Sequence, residues 1–107
     1  MYNLEFYTTE DGTPVVHKWL TELRDLKARA RIMVRLDRAK AGNLGTSKAL
    51  RDGVYEMKID YGPGYRVYYA LVGATVVLLL NGGDKSRQAK DIERAVAFLA
   101  DYRRRTS

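Results

Sequence analysis

The chain has 107 residues, 46% of them hydrophobic and 30% charged, and we expect residues 1–107 to form a single globular domain. It contains no cysteine and one histidine, His17, which excludes disulfides, thiolate nucleophiles and metal sites built from cysteine or several histidines. The net charge is +6 and most of the 19 basic residues are arginines, which favours a polyanionic partner. The longest apolar run, residues 74–80, is too short to span a bilayer and no segment resembles a signal peptide, so we expect a cytoplasmic protein without membrane contacts.

The first elements in chain order are a short strand and a helix. Residues Leu4–Thr8 alternate as a strand does. Thr13 followed by Pro14 predicts a helix start, with Thr13 as the N-cap and Pro14 at the first helical position. Apolar residues then follow at the helical spacing i, i+3, i+4 and i+7: Val16, Trp19, Leu20 and Leu23.

A second helix is predicted from Lys27 to Ala41, ended by Gly42 or Asn43. Four apolar residues are expected on its buried side: Ile32, Met33, Leu36 and Ala39. The short connection between the two helices predicts a helical hairpin. The segment Asn43–Asp52 then reads as a loop.

The second half predicts three strands and one helix. The strands are Val54–Asp60, Tyr65–Leu71 and Thr75–Asn81, and their short connections predict an antiparallel meander. The third strand is apolar on both faces, which places it centrally and under helices. After Gly82-Gly83, the last helix shows helical spacing at Ile92, Ala95, Val96 and Leu99. The order β-α-α-β-β-β-α predicts an α+β fold with its helices packed on one sheet.

Alternation along the first two meander strands separates a core face from a polar face. Four residues belong to the polar face, called here the basic face: Glu56, Lys58, Arg66 and Tyr68. The Gly62-Pro63-Gly64 turn is expected to bring Lys58 beside Arg66, so the face can form a shallow surface that binds a phosphate. The alternative is a solvated face with cross-strand ion pairs, and the pattern does not decide between the two.

Two further segments carry positive charge. Lys85 follows Gly82-Gly83, which we predict to be a strand-to-helix turn with Ser86 or Asp84 as the N-cap, so Lys85 is expected to add charge at the sheet end. Four arginines follow helical spacing along the hairpin: Arg24, Arg31, Arg35 and Arg38. This stripe is a candidate for binding RNA phosphates or an ordinary solvated helix face.

Four stretches together resemble the RelE/ParE toxin superfamily, and within it the HigB-like addiction module killer group of type II toxin–antitoxin systems. They are residues 19–23, residues 53–58, residues 61–69 and residues 79–92, and the likeness extends from about Leu4 to Leu99. The resemblance implies a RelE-like fold and a toxin neutralised by a helix-turn-helix, HigA-like antitoxin, which also represses the operon, so that operator DNA is contacted only through the antitoxin. It also implies a metal-independent endoribonuclease without cofactors that cuts mRNA in the ribosomal A site.

The resemblance further implies roles for individual residues, since 2′-OH attack on the adjacent phosphate needs a base, stabilisation of the phosphorane and an acid. Arg66 matches the strand arginine of the family and is the candidate for binding the scissile phosphate. Lys58 is a candidate for supplying charge or acting as base, and Lys85 and Tyr68 are candidate acid or positioning groups. Glu56 and Asp84 are candidates for orienting a cation and, with Arg31, Arg35 and Arg38, for contacting RNA.

Two alternatives stay open beside the ribosome-dependent mRNA endoribonuclease. ParE-like relatives poison DNA gyrase without cutting nucleic acid, and such a protein would act through contacts of the helical hairpin. The other alternative is a weakly toxic relative that binds its antitoxin or RNA. The fold does not separate these functions, so the site must.

Overall fold

The computed structural model describes residues 1–107, which form a five-stranded mixed sheet with three helices. No helix is both long and apolar enough to cross a membrane. The elements in chain order are β1 (Asn3–Phe6), α1 (Val15–Glu22), α2 (Leu26–Lys40), β2 (Ser47–Ala49), β3 (Tyr55–Ile59), β4 (Tyr65–Val72), β5 (Val76–Asp84), a 3-10 turn (Lys85–Arg87) and α3 (Gln88–Thr106).

The strands lie in the order β1-β5-β4-β3-β2. The predicted three-strand meander is confirmed as β3, β4 and β5, but β4 rather than β5 is the middle strand of the sheet. β1 pairs with β5 in parallel, with Asn3 opposite Val76. The prediction of a loop over Asn43–Asp52 is wrong, because β2 within it pairs antiparallel with β3. Three residues without apolar alternation leave no strand signal in the sequence.

One face of the sheet is covered by α1 and α2. The core on this side includes Met57 and Ile59 of β3 and Val67 of β4, as alternation predicts. The residues that α2 buries are Ala28, Ile32, Leu36 and Ala39. The prediction that Met33 is buried is wrong, since 48% of this residue is exposed. It follows Ile32 directly and therefore lies about 100° around the helix from the buried stripe.

The opposite face of the sheet is covered by α3. Four strand residues form its core with Ala95 and Leu99 of the helix, and these strand residues are Tyr68, Ala70, Leu78 and Leu80. β5 is thus buried on both sides, as its unbroken apolar run predicts. The basic face lies on the α3 side, so the helix covers part of a surface that alternation alone left open.

The helix starts differ from the predicted ones. Pro14 occupies the cap position of α1 and no side chain caps this helix, so the prediction that Thr13 is the N-cap is wrong. The Thr13 hydroxyl donates instead to Oδ1 of Asp11, at 2.9 Å. α2 has a side-chain cap, because Oδ1 of Asp25 accepts from the backbone N–H groups of Lys27 and Ala28 at 3.0 and 3.1 Å.

Gly82 and Gly83 lie inside β5, opposite Val67 and Arg66 of β4, and the prediction that they form a strand-to-helix turn is wrong. Glycine is required here by packing. A Cβ atom at Gly82 would collide with the ring of Trp19, and one at Gly83 would collide with the carboxylate of Asp91. The two glycines therefore let α1 and α3 approach the end of β5 from opposite sides.

Candidate functional site

A polar cleft opens between the loop before β2, β2 itself and the β3–β4 hairpin. Its volume is about 160 Å³ and no hydrophobic residue lines it. The six lining residues, which define the polar cleft, are Thr46, Ser47, Lys48, Glu56, Lys58 and Arg66. Three of these side chains are cationic and one is anionic, so the cleft attracts an anion.

Strand register places these charges together. Lys58 lies directly opposite Arg66, and Lys48 of β2 lies opposite Glu56. The predicted approach of Lys58 to Arg66 across the hairpin is therefore confirmed. Lys58 is exposed, whereas Arg66 and Glu56 are almost fully buried.

Arg66 and Glu56 form a buried ion pair at the base of the cleft. Nε of Arg66 lies 3.5 Å from Oε1 of Glu56, and 8% and 4% of the two side chains are exposed. The Arg66 Nε makes no hydrogen bond, but its Nη1 donates to the Gly64 carbonyl oxygen at 3.2 Å. Nε2 of Gln88 in α3 donates to Oε2 of Glu56 at 2.8 Å. Both charged groups are thus held in place before any ligand arrives.

Tyr68 does not line the polar cleft. It is fully buried under α3, so the prediction that it lines an open surface with Lys58 and Arg66 is wrong, and its role as an acid or positioning group stays a prediction. Its hydroxyl has no hydrogen-bond partner. Burial raises the pKa of Tyr68 above its ordinary value of 10.0, and the negative charges of Glu56 and Asp91 raise it further.

Two further buried polar residues, Asn81 and Asp91, are not among the predicted site residues. Nδ2 of Asn81 donates to the carbonyl oxygen of Asp91 at 3.0 Å. Oδ1 of Asn81 and Oδ2 of Asp91 have no hydrogen-bond partner. The available signals were a polar residue ending an apolar strand and two glycines inside a strand pattern.

Lys85 stands at the hairpin end of the cleft. A Cβ atom placed on Gly64 would lie 3.5 Å from Nη1 of Arg66 and 3.8 Å from Cβ of Lys85. Both cationic residues therefore lie close to Gly64 and to each other. The side chain of Lys85 is exposed. Asp84, one of the two predicted N-caps of the last helix, instead caps the 3-10 turn before it, where its Oδ1 accepts from the Ser86 N–H at 2.9 Å, and α3 itself has no side-chain cap.

The predicted arginine stripe divides into separate environments. A groove of about 500 Å³ runs between α2 and the β3–β4 hairpin, and we call it the α2 groove. Its lining residues are Ala30, Arg31, Val34, Arg35, Arg38, Ile59, Asp60 and Tyr61. The structure thus brings Arg31, Arg35 and Arg38 together beside the hairpin, while Arg24 is not among the lining residues.

No group of three or more histidine or acidic side chains is placed to bind a metal ion. The metal independence of the expected reaction stays a prediction.

Residues 18–105 match the family described as Phage derived protein Gp49-like (DUF891), a range that contains every residue of the polar cleft. The chain belongs to this family. Gp49-like proteins are a toxin-like family of toxin–antitoxin systems. This Gp49-like chain is also 48% identical over 77 residues to an uncharacterized protein of Haemophilus influenzae, covering 72% of the chain and 78% of that relative. The finer RelE/ParE and HigB-like assignments stay predictions.

Proposed function

We propose that this Gp49-like protein is the toxin of a type II toxin–antitoxin system and an endoribonuclease whose active site is the polar cleft. The observation that carries the proposal is the placement of Lys58 opposite Arg66, with the Glu56 carboxylate in the same cleft. Family membership supports the toxin role. The RelE/ParE-like and HigB-like resemblance supports the ribosome-dependent cleavage of mRNA.

In the proposed reaction the cationic side chains bind the scissile phosphate. The 2′-oxygen of the ribose attacks phosphorus, and the phosphorane that forms carries additional negative charge. Arg66 at the base of the cleft and Lys58 at its rim lie on neighbouring strands, where both can stabilise that charge. Because Arg66 is already fixed by Glu56 and Gly64, little reorganisation accompanies the reaction.

Glu56 is the base in this proposal, since it is the one carboxylate among the six lining residues. It accepts the proton of the 2′-OH as the new P–O2′ bond forms. The P–O5′ bond breaks, its electron pair stays on O5′, and Lys58 or Lys85 donates the proton that this oxygen takes up. The products are a 2′,3′-cyclic phosphate and a 5′-OH, and no water or metal ion is consumed.

The proposed partners follow from the same assignment. They are a co-encoded helix-turn-helix, HigA-like antitoxin and mRNA on the ribosome, with operator DNA contacted only through the antitoxin. The net charge of +6 supports an RNA substrate.

A second candidate function is a toxin that acts through protein contacts, like a ParE-type gyrase inhibitor. The observation that favours it is a set of exposed apolar residues on α2, where Leu26 is 65%, Met33 48% and Val34 47% exposed. Apolar residues exposed on one helix are typical of a protein-binding surface.

The test is a primer-extension map of mRNA from cells that express the protein without antitoxin. We expect cuts between codons for the wild type and for Lys90→Ala, which removes an exposed lysine from α3. Lys58→Ala should lower cleavage by about 100-fold or more, the usual effect of removing one group that stabilises transition-state charge. Intact mRNA together with DNA damage signalling in wild-type cells would instead establish that the protein inhibits gyrase.

Arg66→Ala needs a stability control, because it leaves the buried Glu56 carboxylate without its partner. Breaking a buried pair costs about 3–5 kcal/mol of folding free energy, enough to abolish toxicity through unfolding. Glu56→Gln keeps the shape of the side chain and its amide can still contact Gln88. A folded Glu56→Gln protein, verified by urea denaturation, that cuts mRNA at the wild-type rate would rule out Glu56 as the base.

A further inference from the structure

The α2 groove offers a cation stacked on an aromatic ring. The guanidinium carbon of Arg31 lies 4.6 Å from the ring centroid of Tyr61. Such a pair presents a flat, polarisable surface on which a nucleobase can stack. Aliphatic side chains of Ala30, Val34 and Ile59 complete the wall.

The same groove has a net positive charge. Three arginines line it against one acidic residue, Asp60. Arg35 is half-buried, and its Nη2 is buried without a hydrogen-bond partner. Desolvation and the neighbouring charge of Arg38 lower the pKa of Arg35. An anion entering the groove would relieve this repulsion.

The α2 groove and the polar cleft lie on opposite faces of the sheet and approach each other at the edge of β3, where the Lys58 N–H donates to the Thr46 carbonyl oxygen on the cleft side. Lys58 lines the cleft, and the next two residues, Ile59 and Asp60, line the groove. Nη1 of Arg35 donates to the carbonyl oxygen of Lys58 at 2.7 Å, which fixes α2 against the strand that carries the proposed active site. A strand of RNA that leaves the cleft and turns around the β3 edge at Lys58 therefore meets Arg35 and the groove.

We propose that the α2 groove binds the nucleotide that neighbours the scissile phosphate in single-stranded RNA, with its base stacked at the Arg31–Tyr61 pair and its phosphate beside Arg35 and Arg38. This inference rests on the proposed function, because that function supplies the RNA. It assigns to Tyr61 a role in binding the base, and to Asp60 an unfavourable charge that limits affinity.

The test measures the affinity of an eight-nucleotide single-stranded RNA with 2′-O-methyl sugars, which blocks cleavage, by fluorescence anisotropy. We expect Tyr61→Leu to weaken binding roughly five- to hundredfold, as loss of one base–aromatic stack does. Tyr61→Phe keeps the ring and should retain wild-type affinity. Equal affinity of the folded Tyr61→Leu and Tyr61→Phe proteins would overturn the proposal.

Charge variants test the same groove independently of the ring. Arg31→Gln should weaken binding and flatten its salt dependence, and Asp60→Asn should tighten binding. Arg104→Gln is the matched control, because it also removes one positive charge but lies on α3, across the sheet from α2. An Arg104→Gln effect as large as that of Arg31→Gln would mean that only the net charge matters, against the proposal.

Failure of this inference can be told from failure of the proposed function. If the RNA binds in the groove but the wild type cuts neither unmodified RNA nor mRNA on ribosomes, the groove assignment is retained and the proposed nuclease activity is wrong. If cleavage depends on Lys58 while Tyr61→Leu and Arg31→Gln bind and cut like the wild type, the nuclease stands and the groove assignment is wrong. Binding of an acidic peptide, but not of RNA, at Arg31 would also overturn it.

Discussion

Asp91 lies on the buried side of α3, with one carboxylate oxygen unpartnered and the other 3.8 Å from Nη1 of Arg94. Desolvation raises the pKa of Asp91 above its ordinary value of 3.8, against the opposing charges of Arg87 and Arg94, and Asp84 raises it further. Between the unfolded and the folded pKa, the folded chain holds a proton that the unfolded chain has lost. The contribution of Asp91 to the free energy of unfolding is therefore fully present below about pH 3.8. It is lost as pH rises through the folded pKa, because the ionised carboxylate is then buried.

We expect Asp91→Asn to be more stable than the wild type at pH 7.5, because it removes a buried charge, and to lose that advantage as pH falls towards 4. Melting temperatures of both proteins across this range provide the measurement. Since other titrating groups are shared, they cancel in the difference. A difference that stays constant with pH would show that Asp91 has no raised pKa.

At the scale of single residues, alternation correctly placed Glu56, Lys58 and Arg66 on one side of the hairpin. It did not show that Arg66 and Glu56 are buried, because their cover comes from Gln88 and the rest of α3, far along the chain. The burial of Tyr68 is not predictable from its strand for the same reason. Strand periodicity separates the two faces of a sheet and does not say which face a later helix covers.

At the scale of elements, the observed cap of α2 at Asp25 can be compared with the predicted cap of α1 at Thr13 through their effects on stability. Asp25→Ala removes two hydrogen bonds to backbone N–H groups and should destabilise the protein by about 1 kcal/mol, within the range of roughly 0.5–2 kcal/mol for lost caps. Thr13→Ala should cost less, because Thr13 caps no helix and its hydroxyl bond to Asp11 is exposed. Urea unfolding of both variants decides the order, and a larger effect at Thr13 would contradict it.

The sequence was informative about long elements and uninformative about short ones. Helical spacing predicted α2 and α3, and the apolar run predicted β5, each with approximately correct bounds. β2 escaped detection because Ser47–Ala49 depends on backbone pairing with β3 rather than on its own side chains. Two adjacent glycines usually indicate a turn, but here glycine is required inside β5 because Trp19 and Asp91 pack directly against the backbone.

At the scale of the whole molecule, the C-terminal end of α3 is fastened to the segment after β1. The Tyr7 hydroxyl donates to Oδ2 of Asp101, its ring stacks on Phe98 at 4.8 Å, and Arg105 bonds both Asp101 and the Thr8 carbonyl oxygen. The two hydrogen bonds to Tyr7 and Thr8 join residues 94 and 97 positions apart in sequence. They hold the end of α3 beside the residues that follow the edge strand β1.

Tyr7→Phe should destabilise the protein by about 1 kcal/mol, because it removes this hydrogen bond and keeps the stacked ring. Tyr102→Phe is the matched control, since its hydroxyl bond to Glu5 is exposed and should contribute less. Urea unfolding compares the two, and mRNA cleavage should be unchanged in both because neither residue lines the polar cleft. Equal effects would show that burial does not strengthen the Tyr7 bond.

The α+β class and the antiparallel meander could be predicted for the whole chain, whereas the mixed character of the sheet could not. β1 is four residues long, and its parallel pairing with β5 is a contact across more than 70 residues that no local pattern encodes. The two-sided helical cover also follows from where α3 returns to the sheet. Chain topology, rather than local preference, determined these features.

The parallel pairing of β1 with β5 also bears on synthesis. As the chain leaves the ribosome, Asn3–Phe6 remains without its partner until residues 76–79 have emerged, and Gln88, which holds Glu56 in the cleft, follows later still. A chain terminated before Gln88 therefore lacks α3 and the hydrogen bond that holds Glu56 in the cleft. For a protein proposed to cut mRNA on the ribosome, this order means that the complete fold forms only when its own synthesis is nearly finished.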